Sequence, residues 1–190
     1  MIKDPTSPGP RIYNLFPLLA GPIEGEGMDW HSHLPRIAAM RFDWVMLNPF
    51  HYPGFSGSLY AIKDPYRLHP AVQGESTKSP DRLIGDFVRA AGDHGLRVMM
   101  DLIVNHTSRD ADLVTEHPEW YERDARGSLV SPGAIDPADA RELTVWGDLA
   151  QLDYQTPEAR QGLIDYWGDY QHGERTPVLS NLRHVASASR

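Results

Sequence analysis

Asp101, Asn105 and His106 stand close together behind an apolar run, in the stretch RVMMDLIVNHT from Arg97 to Thr107. A carboxylate, an amide and an imidazole can between them hold hydroxyl groups, ligate a cation or move a proton. Residue types alone leave two readings open, because an aspartate closing a strand also caps the loop that follows, and a His-Thr pair is ordinary in a loop. The segment in front of them favours chemistry. A strand buried on both faces reads as a continuous apolar run. In a parallel α/β barrel, the polar residues just past the C-terminal end of such a strand are where active sites are built. These three residues are therefore the candidate rim of a site.

The elements that must position them follow from hydrophobic spacing. Met1–Pro10 is proline-rich and reads as an irregular arm, and Ile12–Phe16 as a short strand closed by Pro17. After the turn GPIEGEG, a helix is predicted from about Met28 to Met40, with Asp29 as its cap and Leu34, Ile37, Ala38 and Met40 on its apolar side; Pro35 conflicts with it unless it falls near the first turn. Trp44–Leu47 is a second buried strand, and Asn48–Ser79 reads as a long loop rich in Pro, Gly and Tyr. Ser79-Pro80-Asp81 starts a helix with an N-cap serine and a proline in the first turn. Leu83, Phe87, Ala90 or Ala91 and His94 keep its spacing to a terminal Gly95. Arg97–Leu102 is the third strand.

Asn105–Gln155 has no long periodic segment; at about fifty residues it exceeds a plain connection and predicts a small inserted subdomain. Thr156-Pro157-Glu158 opens a further helix with Leu163, Ile164, Trp167 and Tyr170 on one face, and Trp44 and Trp167 read as core. This alternation predicts parallel βα units. No G-x-G-x-x-G follows the first strand, which sets a Rossmann sheet aside.

Composition narrows the function. With 41% hydrophobic and 23% charged residues, the chain has the balance of a soluble globular protein. A net charge of −8 without a basic stripe argues against a nucleic-acid partner. The absence of cysteine excludes disulfides and thiolate metal sites. MIKDPTSPGPR carries no apolar signal region, and no apolar run nears the roughly 20 residues of a membrane span, so no membrane partner and a cytoplasmic location are expected.

Four segments together resemble the α-amylase family of glycoside hydrolases and transglycosylases (family thirteen). DLIVNH at Asp101–His106 is similar to that family's signature at the end of its third strand. SGSLYAIKDPYRLHP at Ser56–Pro70 looks like its stretch after strand two, GDLAQLDYQTPEAR at Gly147–Arg160 like the close of its inserted domain, and YNLFPLLAG at Tyr13–Gly21 like its first strand. The resemblance implies an α/β fold with the first three βα units of a (β/α)8 TIM barrel. Residues 1–104 would supply those units, 105–155 a small subdomain inserted after strand three, 156–170 the third barrel helix and 171–190 an atypical tail.

The resemblance also implies an α-glucan or maltooligosaccharide partner and retaining chemistry. Tyr60 would stack on a glucose ring, His106 would donate a hydrogen bond to a sugar hydroxyl, and Asp64 would brace the same loop through backbone or a neighbouring aromatic. Asp101, Asn105, Gln151 and Asp153 would be supporting residues. No cofactor is implied other than calcium as an alternative, with Asn105 either steadying the loop or binding the ion. Calcium takes six to eight oxygen ligands, and Asn105 with scattered aspartates does not specify such a cage.

The resemblance stops before catalysis. Retaining glycosidases use two carboxyl groups about 5–5.5 Å apart. The family's nucleophile lies in a Gly-Phe-Arg-x-Asp type motif after strand four and its acid/base after strand five, and neither motif occurs in this sequence. Gln171–Arg190 holds no aspartate and a single glutamate, Glu174. The expectation is an N-terminal portion of an α-glucan-active enzyme, ended by truncation or a change of reading frame and inactive alone. Its open barrel edges would invite self-association. A rival expectation is a non-catalytic carbohydrate-binding or interaction protein that kept the sugar-facing loops. Pro177-Val178-Leu179 could instead be a divergent fourth strand.

Overall fold

The computed structural model describes residues 9–136 and 138–172. The expected arm before Pro10 and the tail beyond His172, with its strand-like Pro177-Val178-Leu179, fall largely outside them. The chain forms two compact units. Among the described residues, one comprises 9–50, 68–101 and 169–172, the other 51–67 and 102–168.

The first unit is built on a parallel sheet. Strand β1 (Ile12–Leu15) pairs with β2 (Trp44–Leu47), and β2 with β5 (Arg97–Met100). The Asp101 amide extends that ladder to the Leu47 carbonyl at 2.8 Å. The second predicted strand has its expected bounds, and the first and third are shorter: Phe16 is the N-cap of a four-residue helix α1 (Pro17–Ala20), and β5 ends before Asp101.

Helix α2 (Trp30–Ala39) starts two residues later than its apolar spacing suggests, because Asp29 and Ser32 close a reciprocal capping box. Pro35 sits inside this helix. The hydrogen bond lost there is outweighed by burial of Trp30, Leu34 and Ile37, none more than 1% exposed. Ala39 and Met40 face solvent.

Between β2 and the next long helix, the expected loop is in fact structured. It contains strands β3 (His51–Pro53) and β4 (Ile62–Leu68), which pair as a ribbon, and a short helix α3 (Pro70–Gln73). Pro53 and Pro65 hide this ribbon from a propensity reading, since proline inside a run argues against a strand. A two-stranded ribbon tolerates it, because each strand keeps an unpaired edge.

Helix α4 (Pro80–Asp93) agrees with its sequence signals. The Ser79 side chain caps the Arg82 amide, and Gly95, at φ 72°, takes the left-handed conformation that ends it. Leu83, Ile84, Phe87 and Ala91 join Leu15, Val45, Leu47 and Val98 in one apolar core. Trp44 is only half buried and lies under the Arg97 guanidinium, 4.2 Å from its ring centroid.

The second unit is a set of short ladders. Strand β6 (His106–Ser108) pairs antiparallel with β9 (Leu149–Gln151). Between them come helix α5 (Asp112–Glu116), a single 3-10 turn at Pro118–Trp120, and an antiparallel hairpin of β7 (Gly133–Asp136) with β8 (Asp139–Val145). Helix α6 (Pro157–His172) follows. Leu163, Trp167 and Tyr170 on α6 are buried as expected, whereas Ile164 is 54% exposed: a 3.6-residue period carries it round to the solvent side.

Candidate functional site

Six of the seven residues singled out from the sequence belong to the second unit; Asp101, at the end of β5, belongs to the first. Tyr60 lies in the turn between β3 and β4, and His106 opens β6. The two meet: His106 Nε2 is 3.1 Å from the Tyr60 carbonyl oxygen. A carbonyl only accepts, so the ring is held as its Nε2–H tautomer. Nδ1 is enclosed with no hydrogen-bond partner among the described residues. Burial lowers the His106 pKa below the ordinary histidine range, partly opposed by the Tyr60 carbonyl and the charge of Asp148. The imidazole is therefore neutral at physiological pH, suited to hydrogen bonding rather than to acting as a fixed cation.

Tyr60 is 40% exposed, so part of the residue reaches solvent. Its backbone is constrained by turn chemistry: the Tyr60 amide donates to Ser58 Oγ at 3.3 Å and the Ala61 amide to the Ser58 carbonyl at 3.0 Å. Asp64 Oδ1 accepts from the Tyr66 amide at 2.8 Å, the backbone role expected of it. Tyr66 in turn meets Tyr166 edge-on, with ring centroids 6.3 Å apart.

The supporting residues also act on backbone. Gln151 Nε2 donates to the Asn105 carbonyl at 3.0 Å, and the Leu152 amide donates to that same oxygen at 3.1 Å. This couples the end of DLIVNH to the late segment of the chain. Asp153 accepts from the amides of Gln155 and Thr156 and from the Thr156 hydroxyl. These bonds hold its carboxyl below the usual aspartate range and fasten the start of α6.

Sequence reasoning overlooked the residues that lock this unit. Arg109 donates to Ser131 Oγ at 2.8 Å and to the Leu129 carbonyl at 3.2 Å, while Ser131 Oγ donates to the Leu149 carbonyl at 2.9 Å. Thr107 and Tyr121 share a buried bond of 2.9 Å. Asp110 gathers Ser108, Phe55 and Lys63. The only sequence signal was the Ser-x-Asp spacing after DLIVNHT, a turn pattern that says nothing of distant partners.

A small crevice beside His106, lined also by Ile62, Lys63, Pro65, Tyr166 and Trp167, has room for about one water molecule. A sugar ring does not fit there. Among the described residues, no three His, Asp or Glu side chains are grouped to hold a metal ion, and no helix is long and apolar enough to cross a membrane.

Comparison with known proteins identifies the family. Residues 19–125 match the family model for the glycogen debranching enzyme glucanotransferase domain. An α-1,4-glucan:maltose-1-phosphate maltosyltransferase of Rhodospirillum rubrum is 31% identical over 80% of this chain and 25% of its own length. The glycogen debranching enzyme of Saccharomyces cerevisiae is 29% identical over 66% of this chain and 8% of its own. Among solved structures, a noncanonic maltogenic α-amylase from Thermotoga neapolitana superposes with a TM-score of 0.65 at 27% identity, covering 86% of this chain and 36% of that one. An α-amylase from Lactobacillus plantarum gives 0.61 at 30%, covering 85% and 36%. The chain thus spans a quarter or less of these curated relatives and about a third of these solved chains. With more than half of its residues inside the matched family model, the chain belongs to the glycogen debranching glucanotransferase group of α-amylase-family enzymes.

Proposed function

We propose that this chain forms α-glucan-binding structure of an α-amylase-type glycoside hydrolase or transglycosylase, with α-1,4-linked maltooligosaccharide as its ligand. The observation that carries this reading is the bond between His106 Nε2 and the Tyr60 carbonyl. Two residues far apart in sequence, both assigned to sugar contact by family resemblance, are adjacent within one compact unit. A partly exposed tyrosine beside polar loop groups suits a glucose ring, whose CH face is apolar and whose edge carries hydroxyls. A sugar hydroxyl would engage His106 by sharing or replacing the Tyr60 carbonyl, and Asp64 braces β4 through the Tyr66 amide.

In this reading the sheet β1-β2-β5 is the opening part of a (β/α)8 barrel, and residues from Asn105 to Gln155 are its inserted subdomain. Strands β1 and β5 each have one neighbour among the described residues and would be the edges through which copies associate. The polypeptide by itself binds glucan without cleaving it, because neither carboxylate motif needed for double displacement lies in its sequence.

Titration of the full chain with maltoheptaose, followed by calorimetry, tests this. Binding is expected, and Tyr60→Ala should weaken it about tenfold, equivalent to roughly 1.4 kcal/mol. No binding by the unaltered chain would sink the glucan reading. Release of shorter oligosaccharides would overturn the inference that the chain is inactive alone.

A further inference from the structure

Asp110 lies two residues beyond β6, outside every segment that carries the family resemblance, yet the turn bearing Tyr60 converges on it. Its Oδ1 accepts from the Ser108 hydroxyl at 2.5 Å and from the Phe55 amide at 3.3 Å. Its Oδ2 is 3.3 Å from Lys63 Nζ. Phe55 lies just past β3 and Lys63 on β4, so one carboxylate holds both legs of the ribbon whose connecting turn carries Tyr60.

The approach is close. A Cβ added to Gly54 would overlap both the Ser108 hydroxyl and the Asp110 carboxylate, so only glycine lets the backbone pass there. Ser108 is fully buried, which anchors the network in the interior of the unit. Burial resists ionisation of Asp110, but Ser108, Phe55 and Lys63 together outweigh it and keep the carboxyl charged. The Tyr60 turn is thereby pinned from one short segment at two points, by His106 at the Tyr60 carbonyl and by Asp110 at the Phe55 amide.

We propose that Asp110 is a positioning residue for glucan recognition, acting through the Phe55 amide and Ser108 to fix the turn that presents Tyr60. This rests on the reading of Tyr60 as a sugar contact. The Lys63 pair is about a third exposed on each side, so most of the hold lies in the two hydrogen bonds to Oδ1 rather than in the charge. An asparagine, which keeps an acceptor oxygen, should therefore substitute for it.

The test has two arms on the full chain. In the first, amide hydrogen exchange is measured on Asp110→Ala and Asp110→Asn. Asp110→Ala should speed exchange at Phe55, Gly57 and Ala61 at least tenfold, leave the β6–β9 amides unchanged, and be largely rescued by Asp110→Asn. No change in the turn, equal loosening of both regions, or failure of the rescue would overturn the positioning role. If Asp110→Ala does not fold, Gly54→Ala, which pushes the ribbon off an intact Asp110, must show the same selective loosening.

In the second arm, maltoheptaose affinity should fall about tenfold in Asp110→Ala, recover in Asp110→Asn, and fall no further when Asp110→Ala is added to Tyr60→Ala. A full additional loss in the double variant would show that Asp110 does not act through Tyr60. Absence of binding by the unaltered chain would fail the glucan reading, while the exchange arm still decides whether Asp110 positions the turn.

Discussion

In the first unit the interior is aromatic and aliphatic: Trp30 is fully buried and meets Phe50 and Phe87 edge-on at centroid distances of 5.9 and 5.4 Å. In the second, buried apolar side chains such as Leu152 and Leu163 share the interior with a Thr107–Tyr121 hydrogen bond, the Ser108 hydroxyl and His51. Three parallel strands with helices packed on them bury enough apolar surface to specify their own register. Two-stranded ladders do not, and need side chains that bridge them. The teaching is that the region holding the candidate site is specified by hydrogen bonds whose members are scattered through the sequence. Such bonds set a loop to a fraction of an ångström but leave little trace in any local pattern.

The comparison predicts a large, pH-independent loss from truncation in the first unit. Trp30→Ala removes a buried indole together with its 2.9 Å bond to the Gly21 carbonyl and should cost about 3–5 kcal/mol in denaturant unfolding. A loss below about 1 kcal/mol would mean that the aromatic cluster does not hold that unit.

The second unit should instead answer to acid. Burial lowers the His51 pKa from 6.5 to about 4, so the folded state takes the neutral ring. The unfolded chain then binds more protons between those values, and stability rises with pH across that window. The contribution is complete above about pH 6.5 and falls by roughly 3 kcal/mol as pH drops towards 4. Urea midpoints at several pH values should show this slope, and His51→Gln should remove most of it. His106 in the same unit and His69 in the first, both also lowered by burial, leave a residual slope of the same sign. An unchanged slope in the variant would place the acid sensitivity elsewhere.

A smaller effect sharpens the same contrast. Thr107 Oγ1 donates to the Ser108 carbonyl at 3.0 Å, so the Tyr121 hydroxyl is the donor in their shared bond. Tyr121→Phe leaves Thr107 with one acceptor site unfilled and should cost about 1 kcal/mol. Unaltered stability would show the buried pair to be dispensable.

How much of this was legible beforehand differs between the units for the same reason. Asp29, Ser79-Pro80 and Gly95 mark helix ends in the first unit because capping is local: the groups satisfied lie within four residues of the residue that satisfies them. Leu163, Trp167 and Tyr170 were readable by period, and Ile164 was not, since each helical residue is turned about 100° from the one before and this one falls on the solvent side. The β3–β4 ribbon was read as loop because Pro53 and Pro65 argue against strands, although its pairing leaves room for both. Tyr60, His106 and Asp64 could be named from motif resemblance. That the His106 ring is engaged by the Tyr60 carbonyl could not.

The sequence by itself determined the α/β alternation, the three parallel strand cores, the caps of the principal helices and the family, all of which rest on short-range periodicity or on contiguous motifs. Only the tertiary structure decided that residues 51–67 cluster with 102–168, that Asp110 meets Phe55 and Lys63, and that Gly54 must lack a side chain. Those facts depend on which distant backbone groups compete for the same few acceptors. That competition is settled by three-dimensional proximity, which no spacing along the chain encodes.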